Sequence, residues 1–129
     1  MTKRRSVYIE GFSHKNPIPA ACRVGNVVMS GIIYGLDVAT GKPADGLERQ
    51  CSLMFEHLRR AVEASGASLD DIVKLNLWMT DRSQRQAIND EWLRLFPDPA
   101  TRPARQTMQG ELTPGILVQC DFVAVVGGG

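Results

Sequence analysis

The chain has 129 residues, 43% of them hydrophobic and 22% charged, which is the profile of one globular domain and excludes a disordered or fibrous chain. Fifteen basic residues against 14 acidic leave a formal charge of +1 dispersed along the sequence, so no strong field exists to gather nucleic acid. No apolar run approaches the ~20 residues of a membrane span, and Met1–Arg5 does not open a signal-peptide pattern, so a cytoplasmic location with no membrane partner is expected.

Lys3, Arg4 and Arg5 form the one basic cluster, read as a solvated end, with residues 1–6 and 127–129 taken as flexible ends of a single domain spanning 1–129. Val7–Ile9, Ala21–Val24 and Val27–Ser30 are β-prone runs, and Gly25-Asn26 has the chemistry of a tight hairpin turn. Cys22, Cys51 and Cys120 are odd in number and far apart, which speaks for reduced thiols. With only His14 and His57 to add, neither a disulfide framework nor a metal site is expected.

The segment from Asp37 to Gly46 is rich in glycine and proline and reads as a loop. After it, Leu47, Cys51, Met54, Phe55, Leu58 and Val62 recur at helical spacing, opposite a charged face of Glu48, Arg49, Glu56, Arg59 and Arg60, with Gly66 just past the helix end. Ile72–Met79 alternates as a strand, with Val73, Leu75, Leu77 and Met79 on one side and Ile72, Lys74, Asn76 and Trp78 on the other. A second helix begins near Ser83, carries Ile88, Trp92, Leu95 and Phe96 on one face, and stops at Pro97 and Pro99.

From Ile116 to Val126 the even positions form an unbroken apolar face, while Gln119 and Asp121 interrupt the odd face of what should be a central strand. Strands, helix, strand, helix and strands in that order imply an α+β domain, a sheet with both helices packed on one face. The bare face then asks for cover, and a homo-oligomer supplies it.

Four segments appear together and in order: Val24-Gly25-Asn26-Val27-Val28-Met29-Ser30-Gly31, then Ala64 through Lys74, then Ile88-Asn89-Asp90-Glu91-Trp92, then Arg102-Pro103-Ala104-Arg105. On these the chain resembles the Rid (YjgF-type) proteins from about Pro17 to Val126. The resemblance implies a chorismate-mutase-like fold with a mixed sheet, a homotrimeric barrel with ligands in clefts between subunits, and hydrolysis of 2-imino or enamine acids such as 2-iminobutanoate and 2-iminopropanoate. The products are a 2-keto acid and ammonia, with no cofactor and no metal.

Residue by residue, the resemblance assigns the substrate carboxylate to Arg105, whose planar guanidinium makes two parallel hydrogen bonds; without it, an arginine after a Pro-rich loop reads as a surface charge. It places Ser30, Gly31 and Asn89 at the cleft. Several positions depart from the family. Gln119 stands for a glutamate and can hold a water but not deprotonate it, leaving Asp121 or Glu111 to substitute. Ile18 stands for a tyrosine, Thr107 for a cysteine and Ile32 for a glutamine, which predicts a more apolar pocket with Phe12 and Tyr34 as further walls. An imine or enamine deaminase is therefore expected, with a noncatalytic binder of small carboxylates or an aminomuconate-like enamine deaminase as alternatives. A ribonuclease is disfavoured by the near-zero charge and the absence of a histidine pair.

Overall fold

The computed structural model describes residues 3–127. The chain runs β1 (Arg4–Val7), β2 (Ala21–Val24), β3 (Val27–Ser30), β4 (Ile33–Tyr34), β5 (Leu36–Asp37), β6 (Lys42–Pro43), α1 (Leu47–Ala64), β7 (Ile72–Met79), α2 (Gln86–Leu95), β8 (Ala104–Gln109) and β9 (Val118–Val125). The main sheet is ordered β1-β2-β3-β9-β7-β8, with β4 also on β9. All pairs are antiparallel except β7–β8, which α2 joins as a crossover, so the sheet is mixed.

The apolar faces found in the sequence meet on one side of this sheet. Cys51, Met54, Phe55, Leu58, Ala61 and Val62 of α1 and Ile88 and Trp92 of α2 pack on Leu75, Leu77 and Met79 of β7 and on Val118, Cys120, Phe122 and Ala124 of β9. The helix α1 ends where Gly66 turns to φ 85°, a conformation that costs a residue with Cβ more; Gly66 N–H and Ala67 N–H then close the last turn on Glu63 O and Val62 O. Gln50 ties the start of α1 to its surroundings. Its Nε2 donates to Ala44 O (2.8 Å) and Gly115 O (2.9 Å), and its Oε1 accepts from Leu117 N (2.8 Å).

Three expectations change. Arg4–Val7 is a strand rather than a flexible end, because it pairs with β2 and because Arg5 donates to Ser65 O, one of the carbonyls left free at the end of α1. Gly127 N–H meets Asp71 Oδ1, while residues 128 and 129 lie outside the described range. In β7 a bulge falls at Val73: Ile72 pairs with Ala124 and Lys74 with Val123, so the extra residue turns outward and Ile72 joins the core face instead of the polar one. The expected loop before α1 also contains the small β5–β6 hairpin.

Among the described residues no element covers the second sheet face. There Val24, Val27, Met29, Val123 and Val125 adjoin through the pairs Val24–Val27, Val27–Val125 and Met29–Val123, and Met29 is 55% exposed.

Candidate functional site

Helix α2 runs antiparallel to β8 because it returns the chain between the parallel strands β7 and β8. At its start Arg82 N–H donates to Gln109 Oε1 (2.9 Å), and beyond its end Arg102 Nε donates to Phe96 O (2.8 Å). Arg105 sits in the groove between. It pairs in register with Leu75, which is fully buried, so its side chain leaves the sheet on the helix side.

The guanidinium is held twice. Its Cζ lies 5.1 Å from the Trp92 ring centroid, and Nε donates to Thr107 Oγ1 at 3.2 Å. The two terminal nitrogens remain, and among the described residues no carboxylate forms an ion pair with Arg105. Burial lowers its pKa and the Arg85 charge lowers it further. An open cavity of about 530 Å³ lies here, lined by Gln86, Asn89, Trp92, Leu93 and Arg105.

The other candidates are gathered elsewhere. Between the pairs Met29–Val123 and Ile33–Cys120, residues Ser30, Gly31 and Ile32 oppose only Phe122 and Asp121, a local widening that Ser30 Oγ anchors by accepting from Phe122 N (2.9 Å). Gly31 donates its N–H to Ala20 O, and a Cβ there would make ordinary contacts of 3.8 Å with His14 and Pro19. Among the described residues nothing requires glycine at that place. Ile18 and Ile32 are each 46% exposed.

Gln119 and Asp121 project from β9 beside Trp78 and Asn76, on the open sheet face, with Asp121 Oδ1 accepting from Asn76 Nδ2 at 2.9 Å. Arg105 faces the helices, so one chain does not bring these three groups together. Glu111 is exposed and lies beyond the end of β8 instead of on a strand. Phe12 is a core residue, edge-on to Tyr34 and His14, and Tyr34 borders a different, larger cavity of about 680 Å³ with Gln50 and Leu117. That larger cavity contains none of the expected carboxylate-binding groups. Trp92, Gln86 and Leu93 were missed from the sequence, where Trp92 reads as a core position of an amphipathic helix.

No cluster of ligating side chains suited to a metal occurs among the described residues. Burial pushes the Cys51 thiol up to about 12 and holds the His57 imidazole below its ordinary range, so neither is a poised nucleophile or acid.

Known proteins share both sequence and fold with this chain. A 2-iminobutanoate/2-iminopropanoate deaminase of Dermatophagoides farinae is 34% identical over 112 residues, covering 85% of this chain and 86% of that protein. A RutC family protein of Aquifex aeolicus is 27% identical over 117 residues, covering 86% and 94%. The crystal structure of RidA from the Antarctic bacterium Psychrobacter sp. matches with a TM-score of 0.86 at 27% identity, over 95% of this chain and 99% of that one. The fold is thus that of the YjgF-type α+β domains. Residues 12–126 match the family model described as Endoribonuclease L-PSP, and the chain belongs to this family, the YjgF/RidA proteins.

Proposed function

We propose that the protein hydrolyses 2-imino or enamine acids to 2-keto acids and ammonia, with the substrate carboxylate on the terminal nitrogens of Arg105. The observation that carries this reading is a half-buried guanidinium, stacked and hydrogen-bonded at Nε, without an acidic partner among the described residues. A planar carboxylate matches the two nitrogens left free. Water adds to the C=N carbon, the carbinolamine loses ammonia, and the carbonyl forms; the protein needs only to orient an already electrophilic carbon and a water.

The site is completed by other copies of the chain. Since Arg105 faces the helices while Gln119 and Asp121 project from the open sheet face beside the Ser30–Ile32 segment, a homotrimer that covers the apolar sheet face lets one copy bring Arg105 to the Ser30–Ile32 turn of the next. Ile18 and Ile32, exposed in the single chain, become apolar walls there.

A second reading rests on the acids. Gln119 has no base function, and the carboxylate of Asp121 is already hydrogen-bonded to Asn76, which favours a carboxylate-binding protein without turnover. Ammonia release from freshly generated 2-iminobutanoate, measured for the parent and Arg105→Ala, separates the two. The deaminase reading expects a loss of about hundredfold in kcat/KM, the magnitude of removing a bidentate charged contact. If the parent and the buffer give equal rates while 2-oxobutanoate still raises Tm through Arg105, the binding reading holds.

RNA cleavage, the activity in the family's description, finds little support in a chain of charge +1 whose two histidines both have lowered pKa values, His57 being buried with Nε2 on Leu36 O.

A further inference from the structure

Thr107 departs from the cysteine that the resemblance places there, and the departure adds a hydrogen-bond acceptor to the groove. Thr107 pairs in register with Leu77 of β7, as Arg105 does with Leu75, and both leucines are fully buried. The two side chains therefore leave the edge strand β8 on the same, helix-facing side. Strand alternation alone sets a hydroxyl beside the guanidinium, and Thr107 Oγ1 accepts from Arg105 Nε at 3.2 Å.

That contact divides the guanidinium into an occupied edge and an open one. A guanidinium offers a carboxylate two forks: the side, made by Nε with one terminal nitrogen, and the end, made by the two terminal nitrogens. With Nε–H turned to Thr107 the side fork is occupied and the end fork remains. A cysteine thiol is a weak acceptor and would leave both forks open. Threonine is also a stiff anchor, because branching at Cβ restricts χ1 and holds Oγ1 in place. Trp92 restrains the cation from the helix side, with Cζ 5.1 Å from its ring centroid, and Thr107 restrains its rotation from the strand side.

We infer that Thr107 is a positioning residue for carboxylate capture: by holding Nε it leaves the guanidinium only its two terminal nitrogens to present, so that an incoming acid docks end-on. This deepens the deaminase reading and rests on its placement of a carboxylate at Arg105. Thr107 acts through Arg105 and takes no part in the bond changes at the C=N carbon. Its contribution is to order a long, flexible side chain before the ligand arrives.

Calorimetric titration with 2-oxobutanoate, a stable product-like probe, and NMR of the Arg105 side-chain nitrogens test this on the parent, Thr107→Val, Thr107→Ser and Arg105→Gln. Valine keeps the branched shape that suits a strand and removes the acceptor, whereas serine keeps the acceptor and removes the methyl. Thr107→Val is expected to bind the acid about tenfold more weakly, the size of one hydrogen bond to a charged group, while Thr107→Ser stays within about threefold of the parent. Without ligand, the Arg105 Nε proton should exchange with solvent about tenfold faster in Thr107→Val than in the parent. Adding the acid to the parent should move the terminal-nitrogen resonances and leave that of Nε nearly in place. Unaltered affinity in Thr107→Val, equal weakening in Thr107→Ser, or an Nε proton that exchanges no faster without the hydroxyl overturns the role of Thr107, while capture by Arg105 stands. So does an Nε resonance that moves on binding as far as the terminal ones, because docking is then not end-on. Failure of the acid to bind the parent, or binding indifferent to Arg105→Gln, overturns the Arg105 reading itself and the role of Thr107 with it.

Discussion

In the groove between α2 and β8 a charged side chain is held entirely by its own chain, with Trp92 beneath it and Thr107 at its side. Across the sheet, the strand that carries Gln119 and Asp121 shares its face with Met29, Val27 and Val125, all open to water. One region is organised within a single chain, whereas the other has its geometry set by β9 but, on the proposed assembly, takes its dryness from association. The contrast separates two tasks. On the proposed function, carboxylate capture belongs to one subunit, and water handling does not.

The comparison can be broken most sharply at the open face. Met29→Asp puts a charge in the middle of the apolar patch without touching the core, so the single chain should keep its helical circular dichroism while light scattering shows monomers and deaminase activity disappears. Unchanged assembly in this variant would remove the role given to that face. A smaller but informative gain is expected from Gln119→Glu. If a water is managed at β9, supplying a base there should raise kcat by about hundredfold with KM little altered; no change would move the chemistry away from this strand.

The smallest effect concerns the core beneath both regions. Burial lowers the pKa of His57, so the folded state disfavours its protonation. Stability is therefore complete above the unfolded value near pH 6.5 and declines as pH falls through the lowered folded value. His57→Gln, which can keep the donor to Leu36 O, should show a shallower fall of Tm between pH 7.5 and 5 than the parent, with His14 accounting for part of the remaining slope. Parallel Tm curves would assign the acid lability elsewhere.

Periodicity made much of this architecture legible. The spacing from Leu47 to Val62, the alternation from Val118 to Ala124 and the Gly25-Asn26 turn each reflect a local physical demand, and each element formed where that demand lay. The Val73 bulge was invisible because one inserted residue leaves the composition of an apolar strand unchanged; only pairing with β9 reveals which of Ile72 and Val73 turns inward. Arg4–Val7 escaped notice because an edge strand with charged residues looks like a solvated tail until β2 is beside it. Arg105 came from the resemblance, and its stacking on Trp92 depends on how far α2 slides along β8, which no spacing rule contains. That Gln119 and Arg105 leave opposite sides of the sheet follows from strand order, a property of the whole chain.

Gln50 gives the open face an unexpected kind of security. A strand displaced by one residue shows its neighbours the wrong side, so any lengthening or shortening of the segment before β9 threatens to turn Gln119 and Asp121 toward the helices. The amide of Gln50 grips Gly115 and Leu117 just upstream of β9, so changes between Glu111 and Pro114 are absorbed in the loop before they reach the strand. Descendants of this sequence are accordingly free to vary that loop in length, and with it the rim of the larger cavity, while the phase of β9 stays locked from a helix on the far side of the sheet.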